Sequence, residues 1–322
     1  MTDINESELR GAASAMLAGG PSAVTAEQLI ETGWVDLLED DERAAVASLF
    51  EEAGRTTVKT GALVHVAAHA LGISGDDTSA LCTLDRGHKR PASPDWNISG
   101  ILTEGPPERR VIVWSSEVAD PFVAVVDLHS IDSQPTEGAD PTLGWHLLKD
   151  RRARTVQLIE QPQALRTVVA LSRAVHYERL GAAEAMLDIA VAHVSERHQF
   201  GRPIGSYQAV QHRLVDVHVA VRAAHAALGR VWDHPGAIEL MVAALKTQEA
   251  VDLAIQHTLQ VCGGMGFTEE FPLGSKIRRV LKLGAIVPDP VALAAALGEQ
   301  LTGGEQLPRL VDLRIVEDRS GQ

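Results

Sequence analysis

Aromatic residues, cysteine and net positive charge are all scarce in this 322-residue sequence, and each shortage excludes a class of protein. Aromatic residues amount to 4% while Ala, Val and Leu are abundant, which favours packed helices over a β-sandwich. The two cysteines, Cys82 and Cys262, do not have the spacing of a metal or redox motif. The formal net charge of −14 argues against a nucleic-acid-binding protein, because a phosphate backbone requires a basic surface.

Long apolar runs are missing too. No uninterrupted stretch approaches the length of about 20 residues that a helix needs to cross a bilayer. The opening residues MTDINESELR contain neither the basic start nor the apolar core of a signal peptide. We therefore expect a cytoplasmic protein without a membrane span. Its length is sufficient for two or three domains.

The hydrophobic pattern predicts a mainly α protein with a small β domain. The first part reads as helices broken by turns, with a clear break at Gly19-Gly20-Pro21. The last part, from about Gln163 to Leu301, repeats apolar residues at alternating steps of three and four, as helices of a bundle do. The predicted boundaries are 1–75 for an N-terminal helical domain, 76–155 for a reduced β domain, 156–305 for the bundle and 306–322 for a tail.

Between the two helical parts the residue composition changes from helix-forming to strand- and loop-forming. Prolines at 91, 94, 106 and 107 break any helix there. Val111, Val113 and the run Phe122 to Val126 predict two short strands around a turn at Asp120-Pro121. Ser133 to Gly144 reads as a loop before a last short strand.

Two segments of the helical part carry chemistry. The first predicts a turn between two helices and reads Arg197-His-Gln-Phe-Gly-Arg-Pro-Ile204. The second ends a third helix and reads Gln260-Val-Cys-Gly-Gly-Met-Gly-Phe267. An arginine beside exposed amides at a turn can hold a pyrophosphate by bidentate, charge-assisted hydrogen bonds. Glycines let a backbone approach a nucleotide closely, although here they follow a helix and so do not form a dinucleotide-fold fingerprint. For either segment alone, helix capping would be the favoured interpretation.

Taken together, with their order and spacing, the two segments resemble the acyl-CoA dehydrogenase family. Its C-terminal helical domain carries Arg-x-x-Phe-Gly-x-x-Ile and, about sixty residues later, Gln-x-x-Gly-Gly-x-Gly-Phe/Tyr, and both patterns are intact here over roughly 163–283. The resemblance implies an N-terminal helical domain, a middle β domain and a C-terminal four-helix bundle, with FAD bound between subunits. It nominates six residues for the ADP half of the FAD site: Arg197, Gln199, Phe200, Gln260, Gly263 and Gly264.

The resemblance assigns the catalytic base to two positions, and neither of them holds an acidic residue here. In this family a glutamate removes the α-proton of an acyl-CoA thioester while the β-hydrogen leaves as hydride to the flavin. Its two known positions fall on Leu171 and Val287, neither of which can take a proton, so we predict no catalytic residue in this chain. Asp289 is displaced by two residues. Glu178 and Glu184 are interpreted as solvated surface charges.

The flavin-ring half of the site also departs from the family pattern. Trp114-Ser115-Ser116 lies near the expected Trp-containing strand but in the wrong local pattern, and Trp114 is interpreted as a core residue. The retained ADP motifs and the degraded remainder resemble one member of the α2β2 heterotetramers of actinobacteria, some of which act on steroid-derived CoA thioesters. The expected partner is a catalytic acyl-CoA dehydrogenase subunit that holds the acyl-CoA. Two alternatives stay open: a structural or regulatory relic without flavin, and an active homotetramer with an unrecognised base such as Asp289.

The remaining charged residues are interpreted conservatively. The thirteen histidines show no third ligand at metal spacing, so no metal site is predicted. The cluster Arg151 to Arg154 is expected in a solvated hinge or in interface salt bridges. Lys276, Arg278, Arg279 and Lys282 form one basic helix; contact with phosphate groups or an acidic partner is the less favoured interpretation of it.

Overall fold

The computed structural model describes residues 6–17, 24–73, 80–85, 90–103, 110–130, 132–136 and 140–304. The predicted break at Gly19-Gly20-Pro21, the prolines at 106 and 107 and the predicted tail 306–322 lie outside the described residues.

Five helices come first along the described chain, and the strongest start and stop signals coincide with their ends. Thr25 forms a capping box with Gln28 at the start of the second helix, and Asp41 caps the fourth by accepting from the amide of Ala44. Gly72 ends the fifth in the left-handed conformation. The helices are α1 (Glu6–Leu17), α2 (Ala26–Glu31), α3 (Trp34–Asp40), α4 (Glu42–Thr56) and α5 (Ala62–Leu71).

A six-stranded sheet follows in the order β2-β1-β3-β4-β6-β5. β1 and β3 are parallel and the other pairs are antiparallel. Because β6 also pairs with β2, the sheet closes on itself and encloses its own small apolar core. The strands are β1 (Ala80–Leu84), β2 (Asp95–Leu102), β3 (Arg110–Trp114), β4 (Val123–Leu128), β5 (Gln134–Pro135) and β6 (His146–Ile159).

The two strands predicted around Asp120-Pro121 are β3 and β4, and Trp114 is buried as expected. Two expectations for the following segment were wrong. The last strand is the longest of the sheet, at 14 residues, because it pairs with β2 at one end and β4 at the other. The loop before it contains β5 and a 3₁₀ turn at Pro141–Leu143.

The basic cluster Arg151 to Arg154 lies within β6 and not in a hinge. Arg151 forms an ion pair with Asp132.

The C-terminal part is a helix bundle in which α6 occupies the centre. This 34-residue helix packs on α4, α5, α7, α8 and α9, and most of its residues are buried. A small hairpin of β7 (His198–Gln199) and β8 (Arg202–Pro203) follows it. The helices are α6 (Gln163–Glu196), α7 (Gln208–Asp233), α8 (Ala237–Cys262), α9 (Leu273–Leu283) and α10 (Pro290–Thr302).

Helices α4 and α6 cross in backbone contact, which two glycines permit. A Cβ atom on Gly54 would lie 1.9 Å from the carbonyl oxygen of Glu178, and one on Gly181 would lie 1.9 Å from the carbonyl oxygen of Glu51. No side chain fits at either position, so the distance between the two helices depends on both glycines.

The interpretation of Glu178 as a solvated surface charge was wrong, because its side chain meets Arg279 of the basic helix inside the protein. Arg279 of α9 is fully buried; its Nη1 donates to Glu178 (2.8 Å) and its Nε lies 2.9 Å from Asp140 Oδ2. Its Nη2 donates to the carbonyl oxygen of Thr57, and Lys282 donates to the carbonyl oxygen of Asp140 (2.6 Å). We call these five residues the Arg279 cluster. Burial raises the pKa of the Glu178 carboxyl, while Arg279 opposes the shift.

Glu184 is half-buried, and not a solvated surface charge either. His225 of α7 lies between two carboxylates, 3.0 Å from Glu184 Oε1 and 3.5 Å from Glu51 Oε1. Arg55 of α4 joins Glu184 to Asp188. These pairs connect α4, α6 and α7 beside the glycine crossing.

Among the described residues, no single helix combines the length and apolar composition that a membrane span needs. The segments 273–286 and 290–302 meet that composition only as a pair, and they are bent by 51° relative to each other.

Candidate functional site

The first motif folds into the tight hairpin that joins α6 to α7. Arg197 ends α6 with an extended backbone, and its carbonyl oxygen accepts from the amide of Ile204 (2.8 Å). Gln199 pairs with Arg202, which leaves a two-residue loop of Phe200 (φ 54°) and Gly201 (φ 83°). Two positive φ angles match the type I′ turn that suits a β-hairpin.

Phe200 is an unusual residue for this loop. Asn or Gly is preferred there, because the left-handed conformation costs other residues about 1–2 kcal/mol. The ring gains nothing from packing within the chain, since Phe200 is 93% exposed. A strained, exposed aromatic residue on a rigid hairpin is typical of a ligand contact. The local fold alone does not explain it.

The second motif ends α8. Gly263 has φ 59° and ψ −142°, a conformation open only to glycine, and it turns the chain into the 3₁₀ segment Gly263–Phe267. A Cβ atom on Gly264 would meet nothing within 4 Å. The ring Nδ1 of His257 lies 2.8 Å from the carbonyl oxygen of Arg213 and ties α8 to α7 one turn before the motif. The start of α7 and the end of α8 thus lie side by side.

One cavity of about 370 Å³ lies between the hairpin, α7 and α8. It brings together Gln199 and Phe200 from the first motif and Gln260 from the second, which the sequence had grouped only through the resemblance. Arg197, Gly263 and Gly264 adjoin this cavity along the chain but are not among its lining residues. The lining residues are Gln199, Phe200, Ile204, Tyr207, Ala209, Val210, Arg213, Gln260 and Val261.

The chemistry of this cavity fits a nucleotide. Its walls are mainly apolar, as in most small-molecule sites. Within the described ranges, the side-chain amides of Gln199 and Gln260 and the guanidinium of Arg213 have no hydrogen-bond partner. These groups are therefore available to a ligand. The exposed ring of Phe200 offers a face for a planar base.

Six of the nine lining residues were not predicted from the sequence as site residues: Ile204, Tyr207, Ala209, Val210, Arg213 and Val261. Ala209, Val210 and Arg213 share one face of α7, because they are spaced by three and four residues. That spacing was visible in the sequence, but nothing there showed that this face meets the hairpin. Tyr207 supports the hairpin: its hydroxyl donates to the Gln199 carbonyl oxygen (3.3 Å), and the Arg202 guanidinium stacks 4.0 Å from its ring centre.

The two positions expected for a catalytic base lie in the apolar core. Leu171 is fully buried within α6, and Val287 is buried after α9. Asp289 Oδ1 accepts from the amides of Val291 and Ala292, so this carboxylate caps α10. In the part of the chain that the structure describes, no three His, Cys, Asp or Glu side chains are grouped as a metal site would require.

Comparison with known proteins agrees with the fold and the motifs. Residues 162–285 match the family model described as "Acyl-CoA dehydrogenase, C-terminal domain", so this part of the chain is an acyl-CoA dehydrogenase C-terminal domain. Characterised relatives of this family are oxidoreductases. The mainly α architecture with a small β region is confirmed.

More specific similarities connect the chain to mycobacterial proteins. It is 29% identical to acyl-CoA dehydrogenase IpdE2 of Mycobacterium tuberculosis over 248 residues, which cover 74% of this chain and 71% of the relative. IpdE2 of Mycolicibacterium smegmatis is 28% identical over 244 residues, with 74% and 72% covered.

Solved structures share the fold at low sequence identity. The Tcur3481-Tcur3483 steroid ACAD G363A variant has a TM-score of 0.69 at 20% identity and covers 93% of this chain and 98% of that one. The ChsE4-ChsE5 complex from Mycobacterium tuberculosis has a TM-score of 0.67 at 18% identity, with 96% and 99% covered.

Proposed function

We propose that this chain is a subunit of an FAD-dependent acyl-CoA dehydrogenase that supplies the ADP half of the FAD site to a catalytic partner subunit. One observation carries the proposal: Gln199, Phe200 and Gln260, from segments about sixty residues apart, line one cavity and have side chains available to a ligand. The family assignment makes FAD the expected ligand.

Each predicted residue then has a definite task. The ring of Phe200 stacks on the adenine, and the amides of Gln199 and Gln260 donate to or accept from polar groups of the nucleotide. Arg197, which follows the last residue of α6, provides a guanidinium for the pyrophosphate. Gly263 and Gly264 have no side chains and so leave room for the nucleotide at the end of α8. When bound, the flavin supplies the hydride acceptor for desaturation of the acyl chain.

The α-proton is removed by the partner subunit. A general base must be ionisable and within reach of the proton it abstracts. Leu171 and Val287 are not ionisable, and the Asp289 carboxylate is occupied in capping α10. The acyl-CoA therefore reacts in the partner's site, and this chain completes the cofactor site there.

A steroid-derived CoA thioester is the proposed substrate class, and an α2β2 heterotetramer is the proposed assembly. Support comes from two proteins with the same fold, one a steroid ACAD and one a complex of two different chains. The sequence similarity to IpdE2 supports the broader assignment to acyl-CoA dehydrogenases.

Co-expression with the full-length homologue encoded nearest to this gene tests the proposal. The purified complex should be yellow, and both Arg197→Ala and Phe200→Ala in this chain should remove most of its flavin. Arg222→Ala, an exposed arginine of α7 outside the cavity, is the matched control and should keep it. A chain that purifies alone with one FAD per subunit and full dehydrogenase turnover would contradict the proposal.

The two alternatives give different results in the same experiments. A relic without flavin gives unchanged flavin content in the Arg197→Ala and Phe200→Ala complexes. An active homotetramer that uses Asp289 gives turnover by the isolated chain, and Asp289→Asn abolishes it. Asparagine is a good test residue because it still caps a helix, so that variant should remain folded.

A further inference from the structure

Arg213 is the only charged residue among those that line the cavity, all of which lie in the described part of the chain. It belongs to neither motif, since it lies in the second turn of α7. Its guanidinium forms no hydrogen bond or ion pair with any described residue, unlike Arg173 or Arg279, which are paired with carboxylates. A half-buried cation beside apolar walls, without a counter-ion, complements an anionic ligand.

The backbone of Arg213 is fixed relative to the other polar groups of the cavity. Its carbonyl oxygen accepts from His257, which is largely buried on α8. Three residues later on the same face of α8 comes Gln260, which also lines the cavity. The hydrogen bond therefore sets the spacing between an arginine on one helix and an amide on the next. Such a preorganised pair costs little to order when a ligand binds.

The lining of the cavity contains one positive charge, and it is not that of Arg197. Arg197 does not line the cavity, and the other lining residues are neutral. The chain as a whole carries a net charge of −14, which opposes the approach of a polyanion. Arg197 is assigned to the pyrophosphate from outside this lining, so the positive charge that a nucleotide with its base against Phe200 meets within the cavity is the guanidinium of Arg213.

We infer that Arg213 is a phosphate-binding residue of this cavity, a second cation in addition to Arg197, and that it recognises an adenine nucleotide diphosphate by charge-assisted hydrogen bonds. This inference rests on the proposed function, because it takes the cavity as the ADP half-site. The planar guanidinium can bind two phosphate oxygens by parallel hydrogen bonds, a geometry that the ammonium group of a lysine does not offer.

Titration of the purified full chain with ADP and, separately, with adenosine tests this inference. Arg213→Ala should weaken ADP binding by about tenfold or more, as expected for the loss of a hydrogen bond to a charged group. Adenosine binding should be unchanged, because adenosine has no phosphate. Arg213→Lys should bind ADP with intermediate affinity. The ADP affinity of the wild-type chain should fall with added salt more steeply than that of Arg213→Ala.

Arg222→Ala on the same helix is the control and should bind both ligands as the wild-type chain does. Arg213→Ala should also keep the wild-type melting temperature, since His257 bonds to a backbone carbonyl that the substitution leaves in place. Equal loss of ADP and adenosine would indicate a merely structural role for Arg213 and would overturn the inference.

The failure of this inference can be told apart from the failure of the proposed function. If Phe200→Ala abolishes ADP binding while Arg213→Ala does not change it, the half-site stands and Arg213 is not part of it. If the wild-type chain binds neither ligand, the inference fails, and the flavin content of the co-purified complex decides the proposed function separately.

Discussion

Replacing Gly181 with alanine tests whether the contact between α4 and α6 sets the spacing of these helices. The new Cβ atom would lie 1.9 Å from the carbonyl oxygen of Glu51, whereas carbon and oxygen atoms in close contact are about 3.3 Å apart. The obstacle is backbone of the facing helix, so no side-chain rotation relieves it. The two helices must separate by more than an ångström, or the chain must bend.

The magnitude follows from two opposing terms. Overpacking of this kind costs typically about 1–3 kcal/mol, and rigid backbone on both sides places Gly181→Ala at the upper end or beyond. Alanine returns up to about 1 kcal/mol of helix propensity, which offsets only part of the cost. We expect a net loss of about 2 kcal/mol in the free energy of unfolding and, because the entropy of unfolding grows with chain length, a fall of roughly 3 °C in melting temperature.

The assay is urea unfolding followed by far-UV circular dichroism, with Gly298→Ala as control. Gly298 lies in α10, where a Cβ atom would meet nothing within 4 Å, so alanine should stabilise the protein by about 0.5–1 kcal/mol. The two substitutions are chemically identical and should have opposite signs. A Gly181→Ala variant as stable as the wild-type chain would refute the reasoning, and Gly54→Ala should repeat the loss.

Three further predictions concern other parts of the molecule. Phe200→Asn should stabilise the chain by several tenths of a kcal/mol or more in thermal unfolding, because asparagine suits the left-handed turn, yet it should lose flavin from the complex. Arg279→Met should destabilise the chain by about 3–5 kcal/mol in urea, and more than Glu178→Gln does, because it leaves buried carboxylates without a counter-ion. Burial lowers the pKa of Lys276 to about 8 from 10.5, so the unfolded chain binds this proton first and the free energy of unfolding falls as pH falls from 10.5 to 8. Lys276→Met should remove that part of the pH dependence in urea titrations at pH 7 and 10, and an unchanged pH dependence would contradict the assignment.

The helices and the two halves of the cavity could be predicted because their signals are local. Apolar residues at steps of three and four specify α7 and α8, and glycine at 263 specifies the end of α8. The residues that converge on the cavity were predicted only through a resemblance, since periodicity does not show that the hairpin meets α8. Arg213 was missed for the same reason: its role depends on a contact between helices.

The errors share a physical cause. Glu178 was interpreted as a surface charge because charged helix residues are usually exposed, and Arg279 was grouped with its basic neighbours on α9. Their pairing spans 101 positions along the chain, and the contact of Arg279 with Thr142 spans 137. No window of local sequence contains both partners. The strand β6 was expected to be short for a similar reason: its length is stabilised by pairing with both β2 and β4.

The Arg279 cluster also has a consequence for the order of events during synthesis. Its members emerge from the ribosome far apart in time, because the carbonyl of Thr57 precedes Arg279 by 222 residues. Until α9 is made, Glu178 and Asp140 lack the guanidinium of Arg279, so burying them between α6 and the residues made before it carries a penalty. The native arrangement is therefore completed only after α9 has been translated. In a nascent chain of this protein, the buried carboxylates of Glu178 and Asp140 would stay without their guanidinium until Arg279 is synthesised.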